Sequence, residues 1–89
     1  MLLRQLEYIV AVDNERSFTK AADNCCVTQP TLSQQIRVLE EHLRVEIFDR
    51  SRTPIEPTQR GRLIIEKARL VVSEARQLER FARELADCA

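Results

Sequence analysis

From Thr28 to Leu39 the sequence carries one charged residue, Arg37, although 31% of the chain is charged. Thr28, Gln29, Thr31, Ser33 and Gln34 supply hydroxyls and amides at short spacing, and no acid lies beside them. A solvated helix face would ordinarily carry Glu and Lys there. A polar face without acid is suited to meeting something anionic. Bond-making chemistry finds no support. His42 is the single histidine, and no serine or cysteine has a partner arrangement for nucleophilic attack. Gly61 is the single glycine, so no Gly-rich phosphate loop exists. Cys25, Cys26 and Cys88 form no CxxC pair and read as reduced thiols. No catalytic residue, metal site or cofactor is expected, and the chain does not read as an enzyme.

The elements that position this face follow from periodicity. Leu2, Leu6, Ile9 and Val10 form a helical stripe over Leu2 to Asn14. Ser17 is an N-cap for a short helix, Phe18 to Asp23, with Phe18, Ala21 and Ala22 on one side. Asn24 to Val27 is a brief turn. Thr28 caps the next helix, with Pro30 in its first turn, where a missing N–H costs little. Leu32, Ile36, Leu39 and Leu43, spaced 4, 3 and 4, define its inner face, and the helix runs from about Gln29 to Leu43. Glu40 and Glu41 read as a solvated pair. Val45 to Arg50 alternates as a strand, Arg50 to Pro54 is a turn, and Ile55 to Pro57 is a second strand. Pro57 confines that strand to an edge. Thr58 caps a long helix from about Gln59 to near Asp87.

That helix repeats Ile64, Ala68, Val71, Ala75, Leu78, Ala82 and Leu85 at spacings of 4 and 3, a heptad seam. The helix spans roughly 40 Å at 1.5 Å per residue. This is longer than the rest of the domain covers, so part of the seam is expected to pack on another chain. The alternative is cover by the chain's own helices.

Composition narrows the class further. Eighty-nine residues suffice for one small domain. One glycine and three prolines argue against a sandwich or barrel. No apolar run approaches the roughly 20 residues of a membrane span, and the N-terminus lacks the features of a signal peptide. A cytoplasmic location is expected. Fourteen basic residues balance fourteen acidic ones. The distribution is uneven: Arg50, Arg52, Arg60 and Arg62 face Glu56 alone between positions 50 and 62. Local positive potential beside a polar helix is a nucleic-acid signal that net charge hides.

A short helix and a second helix joined by a tight turn make a helix-turn-helix. The second helix would enter a major groove by its N-terminal residues, with the arginine-bearing hairpin as a wing on backbone or minor groove. The runs Leu6-Glu7-Tyr8, Ser17 to Ala22, Val27 to Ile36, Leu39 to Leu43, Ile47 to Arg50 and Thr58 to Gly61 resemble the N-terminal DNA-binding domain of LysR-type transcriptional regulators. The resemblance covers almost the whole chain, and SFTKAA followed by VTQPTLSQQI is its most specific part. It implies a mainly α fold: a winged helix-turn-helix with a two-stranded hairpin wing over residues 1–58 and a linker helix for dimerisation over 59–89. It also implies a larger C-terminal effector-binding domain beyond these residues. A homodimer through the linker helix is expected, and a tetramer only with that further domain. No small-molecule effector is expected on this chain itself. The segments LEYIVA and CVTQPTLS resemble peroxide-responsive members, whose sensing cysteines belong to the other domain.

The resemblance implies site roles. Gln29 reads bases, because its amide pairs bidentately with adenine N6 and N7. Pro30 lies against a thymine methyl, and Thr31 and Gln34 follow on the groove side. Gln34 stands where relatives often have Arg, which shifts preference from guanine toward adenine. Thr19, Lys20, Thr28, Ser33 and Arg37 contact backbone; Arg50, Ser51, Arg52 and Thr53 form the wing. Plainer readings stay open: Pro30 as a helix start, Ser33 as an exposed residue, and Arg50 as a partner of Asp49 or Glu46. Three departures stand out. Arg44 replaces the usual Gly after the recognition helix, Pro57 replaces an apolar strand residue, and Cys25 takes a usual Leu position. The expected function is sequence-specific binding of double-stranded DNA, an interrupted palindrome with half-sites near one helical turn apart, for transcriptional regulation. The alternative is a protein-docking or dimerisation module without intrinsic DNA specificity. RNA binding is disfavoured, since no aromatic stacking platform is visible.

Overall fold

Each helix starts and stops where local hydrogen-bonding chemistry sets it. The computed structural model describes residues 1–88. Helix α1 (Leu3–Glu15) opens with the Leu2 N–H donating to Gln5 Oε1 at 2.9 Å. Its inner face is Gln5, Leu6, Tyr8, Ile9 and Val12, while Leu2 stays exposed. Helix α2 (Phe18–Asn24) is capped as expected, Ser17 Oγ accepting from the Lys20 N–H at 3.2 Å. Its Ala21 and Ala22 are buried, and their small size lets α2 lie close against α1. Helix α3 spans Gln29–Leu43, with Thr28 Oγ1 accepting from the Thr31 N–H at 3.4 Å and Pro30 in the first turn. Helix α4 spans Gln59–Asp87, with Thr58 Oγ1 accepting from the Gly61 N–H at 2.9 Å.

The turns use left-handed backbone at residues with side chains. Arg16, Cys26 and Arg44 have φ of 53°, 58° and 57°. After α2, the Val27 N–H reaches Ala22 O at 3.1 Å and the Cys26 N–H reaches Asp23 O at 3.2 Å. After α3, the Val45 N–H reaches Glu40 O at 3.1 Å and the Arg44 N–H reaches Glu41 O at 3.3 Å. Both are Schellman closures, in which crossed bonds satisfy the last free carbonyls. Arg44 therefore keeps the turn that glycine usually serves, at a cost on the order of 1 kcal/mol.

The strands are shorter than their sequence pattern. β1 is Phe48–Asp49 and β2 is Glu56–Pro57, antiparallel, with Phe48 opposite Pro57 and Asp49 opposite Glu56. Alternation over Val45–Arg50 does not become pairing for a specific reason. The Ile47 and Phe48 amides point at a side chain of α3, described below, and Pro57 has no N–H to donate. The Ile55 N–H goes to Arg16 O at 3.3 Å and the Thr58 N–H to Ile47 O at 2.8 Å. The Thr58 bond extends the hairpin register by one residue to the start of α4, and the Ile55 bond ties the second strand's approach to the end of α1.

One core joins all the elements: Leu6, Ile9, Val12, Ala21, Ala22, Leu32, Ile36, Leu39, Ile47, Phe48, Ile65, Ala68 and Val72 are buried together. An ion pair and a hydrogen bond lash α4 to α1. Arg69 Nη2 lies 2.7 Å from both Asp13 Oδ2 and Asn14 Oδ1. This corrects the seam. Ala68 is 3% exposed inside the chain's own core, Ile64 packs against that core, and Ala75 is half-buried. Val71, Leu78, Ala82 and Leu85 are exposed. They are joined by Leu63, Leu70 and Phe81, which the heptad spacing did not include. The uncovered apolar stripe runs along the outer, C-terminal part of α4, because the chain's own core buries only Ala68 of the seam, with Ile65 and Val72 beside it.

At the start of α4, Gly61 meets the backbone that enters the hairpin. An added Cβ would lie 2.8 Å from the Ile47 carbonyl carbon and 2.9 Å from its Cα. Replacing glycine by alanine in a helix normally gains stability. Here the sign reverses. Gly61→Ala is expected to lose about 1–3 kcal/mol, the usual cost of overpacking, as measured by urea unfolding. Cys25 packs against the core, and burial pushes its thiol above its ordinary pKa, with the charges of Glu7 and Cys26 adding to the shift. Cys26 and Cys88 are exposed. A thiol reagent at pH 8 is expected to label two cysteines promptly, with Cys25 lagging, and peptide mapping checks the order.

Candidate nucleic-acid interface

The N-terminal half of α3 stands clear of the core. Leu32 and Ile36 are fully buried, which turns Gln29, Pro30, Thr31, Gln34 and Arg37 outward, all exposed. Ser33 sits at the edge, half-buried. Thr28 is exposed, and its hydroxyl donates to Thr31 Oγ1 at 2.8 Å. Thr19 and Lys20 stand exposed on the first turn of α2. Among the described residues neither Lys20 nor Arg37 is in an ion pair. Unsatisfied N–H groups and the positive end of the α3 dipole point the same way as these residues. The surface offers hydrogen-bonding side chains at its centre and free cations at its margins.

The hairpin contributes unequally. Ser51, Arg52 and Thr53 are exposed at its tip. Arg52 keeps 66% of its side chain exposed and is loosely held, 3.4 Å from Asp49 Oδ2. Asp49 organises the turn by accepting from the Ser51 N–H at 3.0 Å and from the Ser51 hydroxyl. These two bonds, with Arg52 adding less, hold its carboxyl below the usual carboxylate range. Arg50 is different. It turns inward, and its Nη2 lies 2.9 Å from Glu40 Oε1 while Nη1 donates to Glu40 Oε2 at 3.3 Å. Its Cζ sits 5.3 Å from the centre of the Phe18 ring. The wing role expected of Arg50 is therefore not available to it. Its partner is also neither Asp49 nor Glu46.

Glu40 is the residue that sequence reasoning missed. Far from being solvated, it is 9% exposed. Its Oε2 accepts from the Ile47 N–H at 2.7 Å and the Phe48 N–H at 3.4 Å. The signal was present: Glu40 lies four residues after Ile36 and so shares the inner face of α3. Reading it as one of an acidic pair with Glu41 concealed this. Gln5 and Gln35 were missed similarly. Gln5 Nε2 donates to Gln35 Oε1 at 3.0 Å and pins α3 to α1.

The sequence model described as "Bacterial regulatory helix-turn-helix protein, lysR family" matches residues 3–62. The chain belongs to the LysR family. A "Hydrogen peroxide-inducible genes activator" of Pectobacterium carotovorum subsp. carotovorum is 49% identical over 69 residues, covering 78% of this chain and 23% of that protein. The "HTH-type transcriptional regulator BenM" of Acinetobacter baylyi is 47% identical over 68 residues, covering 76% of this chain and 22% of BenM. A crystal structure of the BenM DNA-binding domain with benA site 1 DNA superposes with a TM-score of 0.91 at 41% identity, covering 97% of each chain. This LysR-family chain thus spans about a quarter of the length of the curated relatives it matches. Its fold is that of a LysR DNA-binding domain, a winged helix-turn-helix. No helix among the described residues is long and apolar enough to cross a membrane.

The carboxylate of Glu40 answers buried amides and a largely buried guanidinium together. Glu40→Ala leaves both without a partner. It is expected to cost about 3 kcal/mol, the lower end of what breaking a buried ion pair costs. Urea unfolding of the variant beside the parent chain checks this.

Proposed function

We propose that this LysR-family domain binds double-stranded DNA in a sequence-specific way for transcriptional regulation, with α3 in the major groove. The observation that carries the reading is the exposed, acid-free N-terminal half of α3 on a fold shared with a domain crystallised on DNA. Gln29 is the principal base reader, with Pro30, Thr31 and Gln34 beside it; an amide at Gln34 favours adenine. Thr19, Lys20, Thr28, Ser33 and Arg37 serve the phosphates, and Ser51, Arg52 and Thr53 form the wing contact. The chain works as a homodimer through α4, using Val71, Leu78, Ala82 and Leu85 with Ile64 and Ala75 at the margin. The two-fold symmetry that follows calls for an interrupted palindrome. The division into a reading head over residues 1–58 and a dimerising helix over 59–89 is one of role, since α4 also serves the core. The reading assigns no catalysis and places the protein in the cytoplasm with the chromosome. Effector binding and tetramer formation are assigned to the larger C-terminal domain that the family resemblance implies, outside residues 1–89.

Fluorescence anisotropy with an A/T-rich interrupted palindrome and its shuffle, each at two salt concentrations, tests the reading. Tighter binding to the palindrome is expected. Gln29→Ala is expected to lose about 1–3 kcal/mol of that preference, the discrimination of one bidentate pair. Affinity for both duplexes is expected to fall steeply with salt, because phosphate contacts release counterions. No binding to either duplex at low salt would overturn the reading and favour a protein-docking module.

A further inference from the structure

Arg50 occupies an unusual place for a basic residue in a wing. It sits between three elements, held by Glu40 of α3, stacked on Phe18 at the start of α2, and carried by the end of β1. Its side chain is 23% exposed and that of Glu40 only 10%. Phe18 in turn meets the Phe48 ring edge-on, with centroids 6.0 Å apart. The arrangement is costly. Arg50 Nε and Nη2 are buried without hydrogen-bond acceptors of good geometry, although Nη2 is in charge contact with Glu40. Buried ion pairs of this kind return little net stability, because desolvation offsets attraction. What such a pair does supply is a defined geometry, since a guanidinium fork meets a carboxylate in few orientations.

Resting on the DNA-binding reading, we propose that Arg50 is a positioning residue for sequence recognition. It sets the distance and angle between the hairpin and the groove-facing half of α3 without touching DNA. The wing's own cation is Arg52. Arg50 keeps α2, α3 and β1 in the one arrangement that lets Arg52 and Gln29 engage the same duplex together. Loss of the fork loosens that arrangement and so affects recognition of a particular sequence more than attraction to phosphate. Lysine keeps the charge but offers neither the fork nor the planar stack.

The test uses the duplex that the parent chain enriches from a randomised pool, and a shuffle of that duplex. Arg50→Lys, Glu40→Gln, their double variant and Arg52→Ala are compared with the parent. Arg50→Lys is expected to weaken binding to the enriched duplex about tenfold, with the shuffle affinity and the salt slope unchanged. Glu40→Gln keeps an acceptor for the Ile47 amide and is expected to lose a similar factor. The double variant is expected to lose no more than either single one, because both changes break the same fork. Arg52→Ala is expected to weaken both duplexes equally and to reduce the salt slope by about 0.9, the value for one phosphate contact. A reduced salt slope in Arg50→Lys would make Arg50 a phosphate contact and overturn the proposal. A lowered melting temperature with unchanged preference for the enriched duplex would make it merely structural and also overturn it. Failure of the parent to enrich any duplex would overturn the DNA-binding reading itself, and the proposal with it.

Discussion

The carboxylate of Glu40 is the point on which the domain's geometry turns. Between Leu43 and Phe48 the chain leaves a helix, reverses through Arg44 and enters the hairpin. Buried amides along such a path need acceptors, and the two-residue sheet cannot supply them. Glu40 does so from within α3, taking the Ile47 and Phe48 N–H groups on one oxygen. A carboxylate in that setting is itself expensive unless its charge is answered, and Arg50 answers it. Recognition helix, hairpin and α2 are therefore located by one buried polar cluster rather than by apolar packing alone. Packing brings these elements together, and the cluster fixes their angles.

The chain's zero net charge dissolves into two populations of basic residues. Arg50 is held by the buried Glu40, while Arg16, Arg62 and Arg69 pair with Asp13 and Glu56 nearer the surface. Lys20 and Arg37 carry no such partner among the described residues, and Arg52 only a solvent-exposed one. Exposed pairs are worth little, so Arg52 is energetically close to free. Lys20 and Arg37 belong to the helix pair that carries the outer half of α3, whereas Arg60, Lys67, Arg76, Arg80 and Arg83, which also enter no ion pair among the described residues, lie along α4. A charge sum hides this distribution, because it does not separate the cations held by Asp13, Glu40 and Glu56 from those left to solvent.

Much of the fold was legible because its signals are local. Thr28 and Pro30 mark the start of α3, Ser17 and Thr58 mark α2 and α4, and all three caps form as their residue types demand. The strands were legible as extended chain but not in length, since pairing depends on where neighbouring amides find acceptors. The outward face of α3 was legible from periodicity. The roles of Glu40 and Arg50 were not, because a charged residue in sequence looks alike whether water or a buried partner receives it. The seam of α4 was half legible. Periodicity identifies an apolar helix but not which part of its circumference the chain's own α1 will claim.

The junction at the start of α4 has a mechanical consequence. The Thr58 N–H bonds Ile47 O, Thr58 caps the helix, and Gly61 lies flush on the Ile47 backbone, with Arg62 and Arg69 fastened to Glu56 and Asp13 further along. No slack remains between the helix and the head it carries. α4 therefore behaves as the arm of a lever and not as a tether. Over its length of roughly 43 Å at 1.5 Å per residue, a tilt of about 5° moves its far end by ~4 Å while turning the recognition helix through the same small angle. A major groove is about 12 Å wide, so in the homodimer proposed above modest rotations of that arm would change where two reading heads fall along a duplex.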